Sequence, residues 1–327
     1  MVDGVAGTDL MSVVMDLSPE PSPPVPDDWR PEPAPSPAAL AAQAVLDMAR
    51  SPYEQARALR AATRVPRQAV AQVAEVVKGL SAMRGLAQPT EPSSLNGPVG
   101  PHRRCAWAAT TVDDIKTVRK ALGGTFNDVV LAAITRGFHD LLLSRGESVD
   151  RVVRTMVPVS VRPRGAGGEI VGDDTLANKV SSMFAELPIG VADPKERLAA
   201  ISAQMDRAKE SKQAVAAEAL RSLSGFAPPM LLALGTRLAS RAPQRNLNTL
   251  TSNVPGPQLP LYAAGREMLC VYPCSIAANG MRVGISIFSY NGQVTFGVAG
   301  DYDTAPDLDV LCKGIEAGMA EMVKLSS

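Results

Sequence analysis

Side chains able to move a proton or hold a metal near neutral pH are few in this sequence. It contains two histidines and four cysteines. His102 lies in Gly-Pro-His-Arg-Arg (100–104), where two positive neighbours disfavour its protonation and make it a weak general base. His139 sits beside Asp140 in the middle of an apolar-periodic run and reads as a core-edge or surface residue of a helix. Cys270 and Cys274 fall in one strand-like run and Cys312 in a helical one. No second Cys or His pair completes a tetrahedral set, so no metal site is expected. A Gly-x-Ser-x-Gly elbow, a phosphate loop and a dinucleotide fingerprint are all absent. Spacing alone names no reaction.

Polar candidates remain at two places. Asn127-Asp128 falls in the first turn of a helix, where an acidic residue at the third position stabilises unpaired N–H groups by roughly 0.5–1 kcal/mol. Capping is the simpler role for Asp128; shaping a substrate tunnel is the alternative. Ser252-Asn253 ends a strand ahead of the turn Pro255-Gly256-Pro257, which needs no function but would place both side chains at a strand end. Asp301 reads as a strand terminus.

The elements that carry these residues follow from periodicity. Val5, Leu10, Val13, Val14 and Leu17 have spacings that can share one helical face. From Pro19 to Pro37 there are nine prolines in nineteen residues, an extended strap in which φ is fixed and N–H donors are missing. Ser36-Pro37 is an N-cap followed by proline at the first helical position. Helical, alanine-rich sequence then runs to a segment over Gln68–Leu86. From Cys105 to Thr110 the pattern becomes a strand. Thr111-Val112-Asp113-Asp114 and Thr125-Phe126-Asn127-Asp128 both start helices, the second running to Ser144 with Val130, Ile134, Phe138, Leu141 and Leu142 inward. Strands are expected over 152–161, 179–187 and 248–254, helices from Asp193-Pro194 and over 229–241. A β-meander is expected over 267–278, 281–290 and 293–299, joined at Asn279-Gly280 and Asn291-Gly292. A final helix runs from Pro306 to Val323. Mixed strands and helices of this kind make a layered α+β fold.

Composition excludes several classes. The chain has 327 residues, 33 basic and 33 acidic, for a formal net charge of zero. Nucleic-acid binding, which needs a basic face, is therefore not expected. Hydrophobic residues make up 46%, enough for a sizeable core and against wholesale disorder. The uncharged apolar runs 226–234 and 129–134 fall well short of the roughly 18–20 residues that span a bilayer. With no secretory signal visible, the four cysteines are expected to be reduced thiols of a cytoplasmic protein.

The opening residues Met1-Val2-Asp3-Gly4 resemble the end of a His-His-x-x-x-Asp-Gly motif. That motif belongs to the bacterial wax ester synthase/diacylglycerol acyltransferase family, within the CoA-dependent acyltransferase superfamily of chloramphenicol acetyltransferase and peptide-synthetase condensation domains. Further blocks resemble the family in family order: Ser94–Arg104, Asn127–Ala132, Met156–Arg162, Asn178–Ser181, Ser252–Pro257, and Ser289–Gly292 through Gly297 and Asp301. Each block is weak by itself. Their order is not.

The resemblance implies a C-terminal domain of a chloramphenicol acetyltransferase-like fold, a mixed sheet with flanking helices, over 105–327. Before it would come a remnant of the N-terminal acyltransferase domain (1–17), a proline-rich linker (18–37) and a helical connector (38–104). The implied activity is transfer of a long-chain acyl group from acyl-CoA, as co-substrate and with no cofactor, to diacylglycerol or a fatty alcohol, making triacylglycerol or wax ester. In the family the second histidine of the motif is the general base and the aspartate orients it. Here Asp3 and Gly4 would be a remnant without that base, and the 327-residue chain is expected to be inactive alone. Asn127, Asp128, Ser252 and Asn253 are implied to bind substrate or shape the tunnel. The resemblance leaves open a non-catalytic lipid-binding half-enzyme, a split enzyme completed by a separate N-terminal half, a homodimer, and peripheral contact with the inner membrane or lipid inclusions.

Overall fold

The computed structural model describes residues 4–20, 30, 33–40, 42–43, 46, 89–160, 180–210, 246–274 and 280–327. The helices expected over 68–86 and 229–241, most of the proline strap, and Asn279 lie outside them.

Two capping boxes build the first half of the domain. Strand β1 (Arg103–Thr111) runs directly into helix α2 (Val112–Leu122), because the Thr111 hydroxyl accepts from the Asp114 N–H at 3.0 Å. The Asp114 carboxylate returns the contact by accepting from the Thr111 N–H at 3.3 Å. Helix α3 (Phe126–Ser144) starts the same way on Thr125 and Asp128, three residues earlier than the apolar run suggested. All five residues expected to face inward are fully buried, as is nearly every residue from Asp128 to Thr135. It is a core helix.

The remaining elements are β2 (Val152–Ser160), β3 (Val180–Pro188), α4 (Pro194–Glu210), β4 (Thr249–Pro255), the short β5 (Tyr262–Ala263) and β6 (Arg266–Glu267), β7 (Val283–Tyr290), β8 (Gln293–Asp301) and α5 (Leu308–Ser326). Ahead of them all lies α1 (Gly4–Val14). Six strands form one mixed sheet in the order β1-β8-β7-β4-β2-β3. Its two edges are antiparallel, whereas β4 runs parallel to both β2 and β7. One face packs against α2–α5 through a single large core that includes Val283, Ile285, Ile287, Phe296, Leu131 and Ile315. The opposite face carries a smaller cluster, Leu261, Phe288 and Tyr290, against which Met11 of α1 and Met15 just beyond it pack.

Helices α3 and α5 cross through glycines. A Cβ placed on Gly314 would lie 2.7 Å from the Gly137 Cα, so the two backbones meet where neither carries a side chain.

Two expectations need correction. Among the described residues one turn of the expected meander is seen: Asn291-Gly292, with φ of 45° and 80°, joins β7 to β8. The described part of 267–278 beyond Glu267 is not a strand. Its Pro273 has no N–H for a ladder, and the segment lies flat over β8, with the Pro273 carbonyl filling the space above Gly297. Gly280 instead faces the loop before β1, where its carbonyl accepts from the Gly97 N–H at 3.2 Å. The second correction concerns α1. Met11 packs against the cluster, as does Met15 just past the helix end, and Leu10, Val13 and Val14 point outward, the last two about four-fifths exposed.

Candidate functional site

The predicted polar residues converge on one end of the sheet. Strand β4 is central and parallel to β7, so its C-terminal residues Ser252–Pro255 lie beside Ser286–Ser289. Helix α3 presents its first turn to the same end, and the Asn253 side-chain amide donates to the Asn127 Oδ1 at 3.4 Å. Both side chains are half-buried, and their other amide atoms make no hydrogen bond among the described residues.

Asp128 is next in the chain but does a different job. Its carboxylate accepts from the Thr125 N–H at 2.8 Å, and its side chain is buried. The other carboxylate oxygen makes no hydrogen bond among the described residues. Capping accounts for its position; the structure gives it no opening toward a substrate.

Alternation along β4 sends Ser252 and Asn253 to opposite faces. Asn253 lies level with Ile287 on the helix-covered face. Ser252 lies level with Ser286, which pairs with Gly297, which pairs with Trp107. This row across four strands, Ser252–Ser286–Gly297–Trp107, is made of small residues at its centre and ends on an aromatic ring. The parallel row Leu250–Gly284–Ala299–Cys105 is equally spare. The 268–274 segment fills the space these small side chains leave: the Pro273 carbonyl sits above Gly297 and Tyr272 lies against Trp107. These rows are not legible in local sequence, because they depend on which strands become neighbours.

The turn after β4 is held tightly. A Cβ on Gly256 would lie 2.3 Å from the Ser289 carbonyl oxygen, so only glycine lets the chain pass over β7 there. The Gln258 amide donates to the Ser289 hydroxyl at 3.1 Å and its oxygen accepts from the Gly292 N–H at 3.1 Å, tying this turn to the β7–β8 hairpin. Helix α1 begins at Gly4 and reaches the same place: the Thr8 hydroxyl lies 3.5 Å from the Pro255 carbonyl. Asp3 lies outside the described residues.

Neither histidine is at this end of the sheet in a catalytic setting. His139 directs Nδ1 to the Ile189 carbonyl at 2.8 Å, which fixes Nδ1 as the donor and uses it structurally. His102 is exposed on the loop before β1, edge-on to Tyr302. Asp301 ends β8, as its sequence context suggested, and has a structural task. Its carboxylate accepts from the Gly100 N–H at 2.6 Å and from the Thr304 hydroxyl at 2.6 Å, joining the loop before β1 to the start of α5. Among the described residues no group of three His, Cys, Asp or Glu is arranged to hold a metal, and no helix is long and apolar enough to cross a membrane. Among the described residues, this end of the sheet thus offers side-chain amides and hydroxyls and no histidine.

Comparison with known proteins accounts for this pattern. Residues 1–130 match the family model of the wax ester synthase/diacylglycerol acyltransferase catalytic domain, and residues 176–323 match that of the WS/DGAT C-terminal domain. A Mycobacterium tuberculosis protein that carries the name probable diacylglycerol O-acyltransferase is 34% identical over 270 residues, 82% of this chain and 56% of its own length. A solved structure, the wax ester synthase/diacylglycerol acyltransferase from Marinobacter aquaeolei, superposes with a TM-score of 0.53 at 25% identity, covering 80% of this chain and 58% of that one. The trichothecene 15-O-acetyltransferase of Fusarium sporotrichioides shares the fold, with a TM-score of 0.51 at 14% identity over 77% of this chain and 53% of that one. The chain spans a little over half the length of these relatives.

Proposed function

Since the chain belongs to the wax ester synthase/diacylglycerol acyltransferase family, we propose that it serves O-acyl transfer from a long-chain acyl-CoA to diacylglycerol or a fatty alcohol. The observation that supports this most is the match to both domains of the family in order along one chain. Within it, the end of β4 and the first turn of α3 form the substrate-positioning end. The Asn127–Asn253 amide pair offers donors and acceptors to a thioester or ester carbonyl. Ser252, on the opposite face of the sheet, acts indirectly, as part of the strand end that carries Asn253. Asp128 acts indirectly, by fixing the turn that carries Asn127. We treat 105–327 as one folding unit, because β1 completes the same sheet as β8. Residues 1–17 then belong with the catalytic part, through α1 and its contact with β4.

The reaction needs a base to take the acceptor hydroxyl's proton, and neither His102 nor His139 is placed for it. The base of the family motif is a histidine that these 327 residues do not contain. A positioned base contributes roughly 10²–10⁴-fold. We therefore expect the purified chain, given long-chain acyl-CoA and diacylglycerol or hexadecanol, to release CoA no faster than background. Joining a segment that ends in His-His-x ahead of Met1, or adding it as a second chain, should restore turnover. Replacing the second of those histidines by alanine should remove it again. Turnover by the chain unaided, abolished by His102→Ala or His139→Ala, would sink this reading. Binding of acyl-CoA without turnover in every arm would favour a lipid-binding role instead.

A further inference from the structure

Two cysteines far apart in sequence meet on the sheet face that the helices leave open. Cys105 is on edge strand β1 and Cys274 is on the segment that crosses β8, and their sulfur atoms are 3.0 Å apart. Both residues are exposed. The chain around them is built to hold this approach. Next to Cys274, the Pro273 carbonyl rests in the space left by Gly297, where a Cβ would come within 1.6 Å of it. Tyr272 lies against Trp107 with ring centroids 4.9 Å apart, two residues from each cysteine. Upstream, the Tyr290 hydroxyl donates to the Met268 carbonyl and accepts from the Leu261 N–H, both at 2.8 Å. The segment over 268–274 is therefore fastened at Met268, at Tyr272 and at Pro273, and the two thiols are brought together by contacts that do not involve them.

We propose that Cys105 and Cys274 are a thiol-oxidation site, closing to an intramolecular disulfide when the protein meets a peroxide. Cys274 attacks a peroxide oxygen as thiolate, since burial and the neighbouring Cys274 push the Cys105 thiol up to about 11; the O–O bond breaks, hydroxide leaves and takes up a proton as water, and a sulfenic acid forms on Cys274. The second sulfur then attacks the sulfenic sulfur, the S–S bond forms and a second water leaves. Two thiols lose two electrons and one peroxide gains them. The sulfurs need to approach by only about 1 Å to reach bonding distance. The product would staple the 268–274 segment to β1 above the row Ser252–Ser286–Gly297–Trp107, fixing how far that face can open.

The test uses the full 327-residue chain treated with a small excess of hydrogen peroxide and then mapped by mass spectrometry without reductant. The expected result is a linked peptide pair containing Cys105 and Cys274, with a loss of two hydrogens from the intact mass and two thiols fewer reacting with maleimide. Dithiothreitol should reverse all three. Cys105→Ser and Cys274→Ser should each abolish the link, and Cys270→Ser should leave it, with circular dichroism confirming that the variants are folded. Gly297→Ala, which pushes Pro273 off its bed without touching either thiol, should slow closure roughly tenfold. Linkage of Cys105 or Cys274 to another cysteine, linkage only between molecules, or oxidation to sulfinic acid with no link would overturn the proposal. So would closure at an unchanged rate in Gly297→Ala.

Discussion

Asp301 and Cys312 are held in opposite protonation states by their surroundings. The Thr304 hydroxyl, with the Gly100 and Thr304 N–H groups and Arg103 nearby, keeps the Asp301 carboxyl below the usual aspartate range, against the opposing effect of burial. A carboxyl whose folded pKa is depressed contributes stability above its ordinary value near 4 and loses it as pH falls through the folded value. Asp301→Ala should therefore unfold at lower urea than the parent at pH 7. The gap should shrink as pH drops below the ordinary aspartate range, a trend a urea series from pH 7 to pH 3 would read directly; a gap independent of pH would contradict the assignment. Cys312 goes the other way. Burial first, then Glu316 and Asp309, push its thiol up to about 12, and the thiolate is the reactive form. Iodoacetamide at pH 8 should leave Cys312 unlabelled in the folded protein and label it in urea.

At the scale of elements, α3 and α5 owe their spacing to Gly137 and Gly314. Gly314→Ala would gain about 1 kcal/mol of helix propensity but force the backbones apart at a cost of about 1–3 kcal/mol. The expected net effect is a lower urea midpoint, whereas the same change at Gly7 of α1, where an added Cβ meets nothing within 4 Å, should not destabilise. Elements whose start depends on neighbouring residues were legible in the sequence. Thr111–Asp114 and Thr125–Asp128 announce α2 and α3 because a capping box closes within four residues, and Asn291-Gly292 announces its hairpin for the same local reason. The segment after Glu267 was misread because its apolar residues mimic a strand. Its place is set by Gly297, a residue further along the chain whose lack of a side chain leaves the space that the Pro273 carbonyl fills. The side of α1 that packs inward also departs from the periodicity, since Met11, with Met15 just past the helix, fits the cluster of Leu261, Phe288 and Tyr290 better than the valines beside them.

Over the whole molecule, the grouping of the candidate residues could not be read from the order of the family blocks. Asn127 and Asn253 touch only because β4 enters the middle of the sheet parallel to β7 and ends at the first turn of α3. Ser252, one residue away, is on the opposite face for an equally simple reason of alternation. The pairing of β1 with β8, Arg103 opposite Asp301 through Thr111 opposite Gln293, has a consequence in time rather than in space. About 180 residues separate the two strands. A ribosome adding roughly 5–20 residues per second would leave β1 without its neighbour for roughly 10–40 s. For that interval Trp107 and the unpaired backbone of an edge strand are open to wrong partners, and closing so long a loop is intrinsically slow. A ribosome-bound chain stalled before Gln293 should be cut readily by protease within 103–111. One stalled far enough downstream for α5 to have emerged should be protected there. This chain is thus expected to need shelter while it is being made, and to lose that need only when its last fifth has emerged.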